Sequence, residues 1–366
     1  MGTVRDRDRP EGIVSTRRLG ASLVVAAIVT WAAACEPAAA DQRSAAVAAG
    51  ERAVAVRAAD PTGAVRGPLW IEMRNVDLHI GERAAIRVRR LRGEVVSTKP
   101  GAPAILDDTR SFTVRVTSGT VALSGEALSA LLNERVFGYR GSPLRKLRAS
   151  TSGSDVVLRG IMRKGVDIPF EITATVALQP DGRVRLHPTK SRILGVNGLK
   201  LLGALHTHLD ELLDLRGARG ASVKGNDFYL EPTKILPPPA IDGRLASIRV
   251  DGPDLVQSFV ALADDSVFRR YARPDSEAVN EVYFRGGQLR FGKLLMSDTD
   301  LQIVDADPRD PLDLNLERYV RQLVAGTSRT LASGGLRVVM PDYRAVSGGP
   351  ATIAARPAPR SRALAP

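Results

Sequence analysis

Phe170-Glu-Ile-Thr-Ala-Thr-Val-Ala-Leu178, followed through Pro180-Asp-Gly182 by Arg183-Val-Arg-Leu-His187, is the stretch that decides the fold class. Phe170, Ile172, Ala174, Val176 and Leu178 alternate with polar or small residues, a period of two that puts one row on a dry face and the other in water. Apolar alternation resumes after Pro180-Asp-Gly182, where glycine tolerates the positive φ of a tight turn, so the stretch predicts a β-hairpin.

Outward from it the same signal recurs at Trp70–Ile80, Ile86–Val88, Phe112–Val116 and Val156–Ile161. Further strands are predicted at 226–231, 245–250, 281–285, 288–296, 299–305 and 335–340, with Gly286-Gly287 as another tight turn. Three amphipathic helices interrupt them. The first runs from Ser124, a suitable N-cap, to Phe137, with Glu126 in its first turn and Leu128, Leu131, Leu132 and Val136 on one stripe. The second covers Gly198 to Leu215, with Leu201, Leu202, Leu205, Leu209, Leu212 and Leu213 at helical spacing. The third follows Pro311, with Leu312, Leu316, Tyr319, Val320, Leu323 and Val324 on one side. Many antiparallel strands and a few helices make an α+β fold.

The ends of the chain read differently. Arg17-Arg18 precedes an uncharged run, Leu19 to Ala34, too short for the roughly 20 residues of a permanent span, so residues 1–34 are expected to be a signal peptide. Ala32-Ala33-Ala34-Cys35 is similar to a bacterial lipobox, with Ala32 in the place usually held by leucine. Cys35 is the sole cysteine among 366 residues, which excludes an intramolecular disulfide and makes it the expected lipidation site. Residues 35–66, alanine-rich and poor in large apolar side chains, then form a flexible linker, and 346–366 a disordered tail. Between them lie a domain over 67–260 and an extension of the same fold over 261–345. Glu36 after the cysteine favours the periplasm-facing outer membrane.

The formal charge is +12, and loss of residues 1–34, with five arginines against three acids, leaves it strongly basic. Such a surface suits acidic lipid headgroups or cell-wall polymers. A nucleic-acid partner is not expected, because no Cys/His finger, RNP-like strand or basic helix is present. No nucleophile elbow, zincin motif or P-loop appears, so an enzyme is not expected and no cofactor is implied. His206 and His208, two apart on a helix, point away from each other and make a poor metal pair. The carboxylates between Asp298 and Asp313 are ligands of the kind calcium takes, but lack EF-hand spacing and suit turns and a helix start equally.

Aromatics are only 4% of the chain against 44% hydrophobic residues in all. Aliphatic walls without directional polar groups suit acyl chains, and they equally suit a filled core.

The order Leu123-Ser-Gly-Glu-Ala-Leu-Ser-Ala-Leu-Leu-Asn133, Ser142-Pro-Leu144, Asp155-Val-Val-Leu-Arg-Gly160, Ile168-Pro-Phe170, Asp181-Gly-Arg-Val-Arg-Leu186, a leucine helix and Ile241-Asp-Gly243 resembles tubular lipid-binding (TULIP) proteins, most nearly the LmeA-like phospholipid-binding group. The resemblance covers about residues 110–260 and carries no catalytic residues. It implies a strongly twisted, mainly antiparallel sheet wrapped on a long helix, with phospholipid tails in an apolar groove. Leu128, Leu132, Leu201, Leu205 and Leu209 are the expected lipid-binding residues, and a membrane surface the expected partner. The stretch from 261 to 345 departs from the family and would lengthen the sheet or cap the groove. Without a cavity the protein would instead be a structural or protein-interaction lipoprotein; a polar cleft would point to a hydrolase.

Overall fold

The computed structural model describes residues 67–79, 85–193, 196–197, 208–261, 268 and 273–347. Cys35, both terminal segments, Leu201, Leu205 and His206 therefore lie outside the described residues.

Among those residues the chain is mainly β, with curled sheets and few helices. The larger sheet runs β13 (Leu245–Asp251), β14 (Asp254–Phe259), β4 (Phe112–Ser124), β2 (Ala85–Ser97), β1 (Leu69–His79), β15 (Glu281–Phe291), β16 (Leu294–Asp305), β19 (Leu336–Met340) and β18 (Thr327–Thr330). Its neighbours are antiparallel except β16 and β19. Short strands β3 (Ala104–Ile105), β12 (Ala240–Asp242) and β17 (Leu312–Leu314) add to it in parallel, on β15, β4 and β1. The stretch after 261 thus extends the sheet beside β1.

The smaller sheet is the predicted hairpin and its neighbours. It runs β10 (Ala221–Lys224), β11 (Asp227–Leu230), β8 (Val184–Ile193), β7 (Val166–Leu178), β6 (Asp155–Lys164) and β5 (Leu144–Ser152), with β9 (Val196–Asn197) on β8. Phe170, Ile172 and Ala174 of β7 are buried as the alternation requires, and Gly182 turns with φ +82°. Two buried clusters each draw residues from both sheets, and Val121, Val176, Leu186, Ala221 and Ile248 pack against both clusters, so the apolar interior is continuous.

β15 and β16 lose the wet-and-dry alternation because their second face is covered as well. Glu281, with no exposed surface, meets Arg273 at 2.6 Å and the Gln302 amide at 2.7 Å, and Gln302 also donates to the Asp275 carbonyl. A carboxylate buried this deeply requires such partners.

The helices depart from their predicted extents. Helix α1 (Gly125–Ala130) starts as foreseen: Ser124 Oγ accepts the Ala127 N–H at 3.1 Å, and Leu128, Leu131, Leu132 and Val136 are buried. It continues over Leu131–Val136 as π-helix, a widening that apolar spacing does not encode. Most of the second predicted helix lies outside the described residues. Its described end is helical only over α2 (Leu209–Leu212) and is extended at Leu213, where buried Leu213 and Leu215 flank exposed Asp214. A short α3 covers Pro232–Ile235.

The third helix is a larger correction. Leu312–Leu314 pairs in parallel with β1, and α4 spans only Tyr319–Ala325. It buries Tyr319 and Gln322 and leaves Val320 and Val324 exposed, so the predicted stripe faces solvent in part. A last turn, α5, covers Tyr343–Ser347. Gly286-Gly287 lies inside β15 and is no hairpin turn: φ is +78° and +47°, and the pairing with β16 is interrupted at Gly287 and Asp298 without a change of register, while Leu69 of β1 crosses alongside.

Candidate functional site: two apolar cavities

The largest well-defined apolar space lies where the two clusters meet. The dry faces of β1, β2, β4 and β14 supply Met73, Ile86, Val88, Leu91, Val114, Val121, Leu123 and Phe259; Leu236-Pro-Pro-Pro239 and Asn315-Leu-Glu317 close over them. Side chains leave about 100 Å³ there. Prolines suit the covering segment, having no N–H to leave unsatisfied against an apolar wall.

The polar side chains of its lining are His79, Gln257, Asn315 and Glu317. The His79 ring is fully buried, its Nε2 bonds Asp313 Oδ1, and its Nδ1 is buried with no partner. Asn315 Oδ1 is occupied by the N–H groups of Glu317 and Arg318, each at 3.1 Å. Aliphatic walls with few polar groups can hold a hydrocarbon chain.

A second cavity, of about 20 Å³, opens on the smaller sheet. Leu158, Met162, Phe170, Ile172 and Ile193 form its floor, and Leu209 and Leu213 lie over it. Ser191 is the polar side chain in this lining, and its buried hydroxyl has no partner. Gly160 keeps the floor low: a Cβ there would stand 2.5 Å from Leu147 Cδ2 and 3.2 Å from the Phe170 ring.

The five expected lipid-binding leucines divide. Leu209 is buried and lines the smaller cavity. Leu128 and Leu132 are buried in the cluster beneath the smaller sheet and line neither cavity, because their stripe packs onto strands. Leu201 and Leu205 lie outside the described residues. The reading along the chain missed the walls of the larger cavity, whose residues come from segments as far apart as 73 and 317; their alternation was visible but their convergence was not.

The aspartates between 298 and 313 disperse. Asp300 accepts from Tyr283 and Ser333, Asp305 from Asn280 and the Asp307 N–H, Asp307 from Arg309, and Asp313 pairs with His79. Among the described residues no group of three His, Cys, Asp or Glu side chains could hold a metal ion. His187 pairs with Asp227 at 2.6 Å, and His208 is exposed beside α2.

The described residues form a curled, mainly antiparallel β fold that encloses aliphatic cavities. The profile of the LmeA-like phospholipid-binding family matches residues 32–237, more than half of the chain, and the chain belongs to that family. No curated protein and no solved structure gives a significant match. The smaller cavity falls wholly within the matched residues, whereas the larger one takes part of its wall from beyond them.

Proposed function

We propose that the protein is a non-enzymatic, membrane-tethered carrier that holds a phospholipid acyl chain in the larger cavity. The cavity itself carries this reading. Interiors pack closely, and an unoccupied cavity costs about 24 cal/mol per Å³, so some 100 Å³ represents on the order of 2 kcal/mol of stability forgone. Burying hydrocarbon there reverses that cost, at about 0.8 kcal/mol per methylene.

In this reading the aliphatic lining explains the low aromatic content. Residues 1–34 direct export, Cys35 takes the lipid anchor, and 36–66 are the tether at the periplasmic face of the outer membrane. Family membership supports lipid binding; the lone cysteine and the run before it support the tether.

Native mass spectrometry with lipid extraction tests the cavity. The purified chain is expected to carry phospholipid or to take it from vesicles. Val121→Phe, which projects a ring into the cavity, is expected to abolish that uptake without lowering the melting temperature. Full lipid occupancy in a folded Val121→Phe protein would place the lipid elsewhere.

A further inference from the structure

We infer that the tip of the β6–β7 hairpin, with the neighbouring loop Tyr139–Ser142, is the face by which the protein docks on an anionic bilayer; the inference rests on the lipid-carrying reading. The hairpin turns at Lys164-Gly165-Val166, with Gly165 at φ +74° and open space around it. Val166 is 66% exposed, the most of any described large hydrophobic side chain that departs from burial. Single exposed apolar side chains are common on protein surfaces; what sets Val166 apart is its place at the apex of a hairpin flanked by cations, from which it can enter the headgroup region of a membrane.

Basic side chains predominate around it. Arg140, Lys146, Arg163 and Lys164 are exposed, and none has a carboxylate partner among the described residues; the Lys164 ammonium reaches only the Leu212 carbonyl, at 3.4 Å. The nearby acids are already engaged: Asp167 by Arg145, Asp210 by the Gly225 N–H at 2.6 Å, and Glu211 by a partner of its own. Solvated cations surrounding an exposed valine match an anionic lipid surface, at roughly a fivefold gain in partitioning per basic side chain.

The same end of the fold is open. Phe137, Tyr139, Ser142, Leu144, Arg145 and Arg163 line a cleft of about 360 Å³. Leu144 also lines the smaller apolar cavity, so one side chain separates a basic cleft from an aliphatic one. A phosphate beside Arg163 and a chain passing Leu144 is the arrangement a docked phospholipid would take. A protein partner would not need the apolar space behind the cleft.

The full chain has a single cysteine, so Cys35→Ser leaves a background into which one label can be placed. Val166→Cys carrying an environment-sensitive fluorophore is expected to shift to the blue with vesicles containing phosphatidylglycerol, and not with phosphatidylcholine alone. The same label at Val324→Cys, on α4, is expected to remain in water. Arg163→Glu with Lys164→Glu should weaken the Val166 response by more than tenfold, as high salt should. A Val166 label that stays in water with anionic vesicles, an equal shift at both positions, or indifference to the charge reversal would overturn the proposal. Lipid content of the same preparations separates the two readings: loss of docking with lipid retained refutes the tip alone, and docking by a protein that never carries lipid refutes the cavity alone.

Discussion

Asp305 ends β16 with only 5% of its surface exposed. Burial pushes its carboxyl up to about 6; the charges of Asp342 and Asp310 add to this, while hydrogen bonds from the Asp307 N–H and Asn280 oppose it. The folded state therefore holds this proton more tightly than the unfolded chain does. Between the ordinary carboxylate pKa and about 6, the folded protein carries more protons than the unfolded one, and stability falls as pH rises. Asp305→Asn is expected to raise stability at pH 7.5 by on the order of 2 kcal/mol, read as a higher melting temperature, and to bring no gain at pH 4. Equal shifts at the two pH values would show that titration is not the cause. At Ser124 the sequence had already indicated the interaction: its hydroxyl caps α1, and Ser124→Ala should cost about 1 kcal/mol in chemical denaturation. Asp305 was not legible in this way, since its pKa depends on carboxylates from a loop and a distant turn.

At the scale of elements, glycines of similar backbone conformation play different roles. Gly287 sits inside β15 at φ +47°, and a Cβ there would lie 2.7 Å from Leu69 Cβ and 2.8 Å from Leu69 N. Gly165, at φ +74°, has nothing within 4 Å. Gly165→Ala should therefore cost about 1 kcal/mol, the backbone contribution alone, and Gly287→Ala clearly more, about 2–3 kcal/mol, because β1 must move. Urea denaturation of both variants checks the order; comparable losses would mean that β1 yields easily. The predicted turn at Gly286-Gly287 identified the positive φ but not its setting, because a hairpin turn and an irregular point within a strand ask the same of a glycine. The stripe from Leu312 to Val324 failed for a related reason. Leucines at 312, 314 and 316 fit a strand as well as a helix, and pairing with β1 decided for the strand.

For the whole molecule, the tether and the cargo can be tested separately. Cys35→Ser is expected to move the protein from the membrane fraction to the soluble fraction after high-salt washing, while phospholipid still co-purifies. Continued salt-resistant association would point to another anchor. Alternation fixed the strands, and with them a sheet that must cover something apolar, because a period of two gives each strand one dry face. Helical spacing and a capping serine located α1, and the order of motifs indicated the phospholipid-binding family. The sequence by itself could not decide which dry faces would meet. The larger cavity forms because β1, β2, β4 and β14 turn one face toward a triproline segment and the turn at Asn315–Glu317, contacts that span more than 200 residues of chain. Where side chains from such distant segments fail to fill the space between them is settled only by packing, because no segment alone carries the shape of its neighbours.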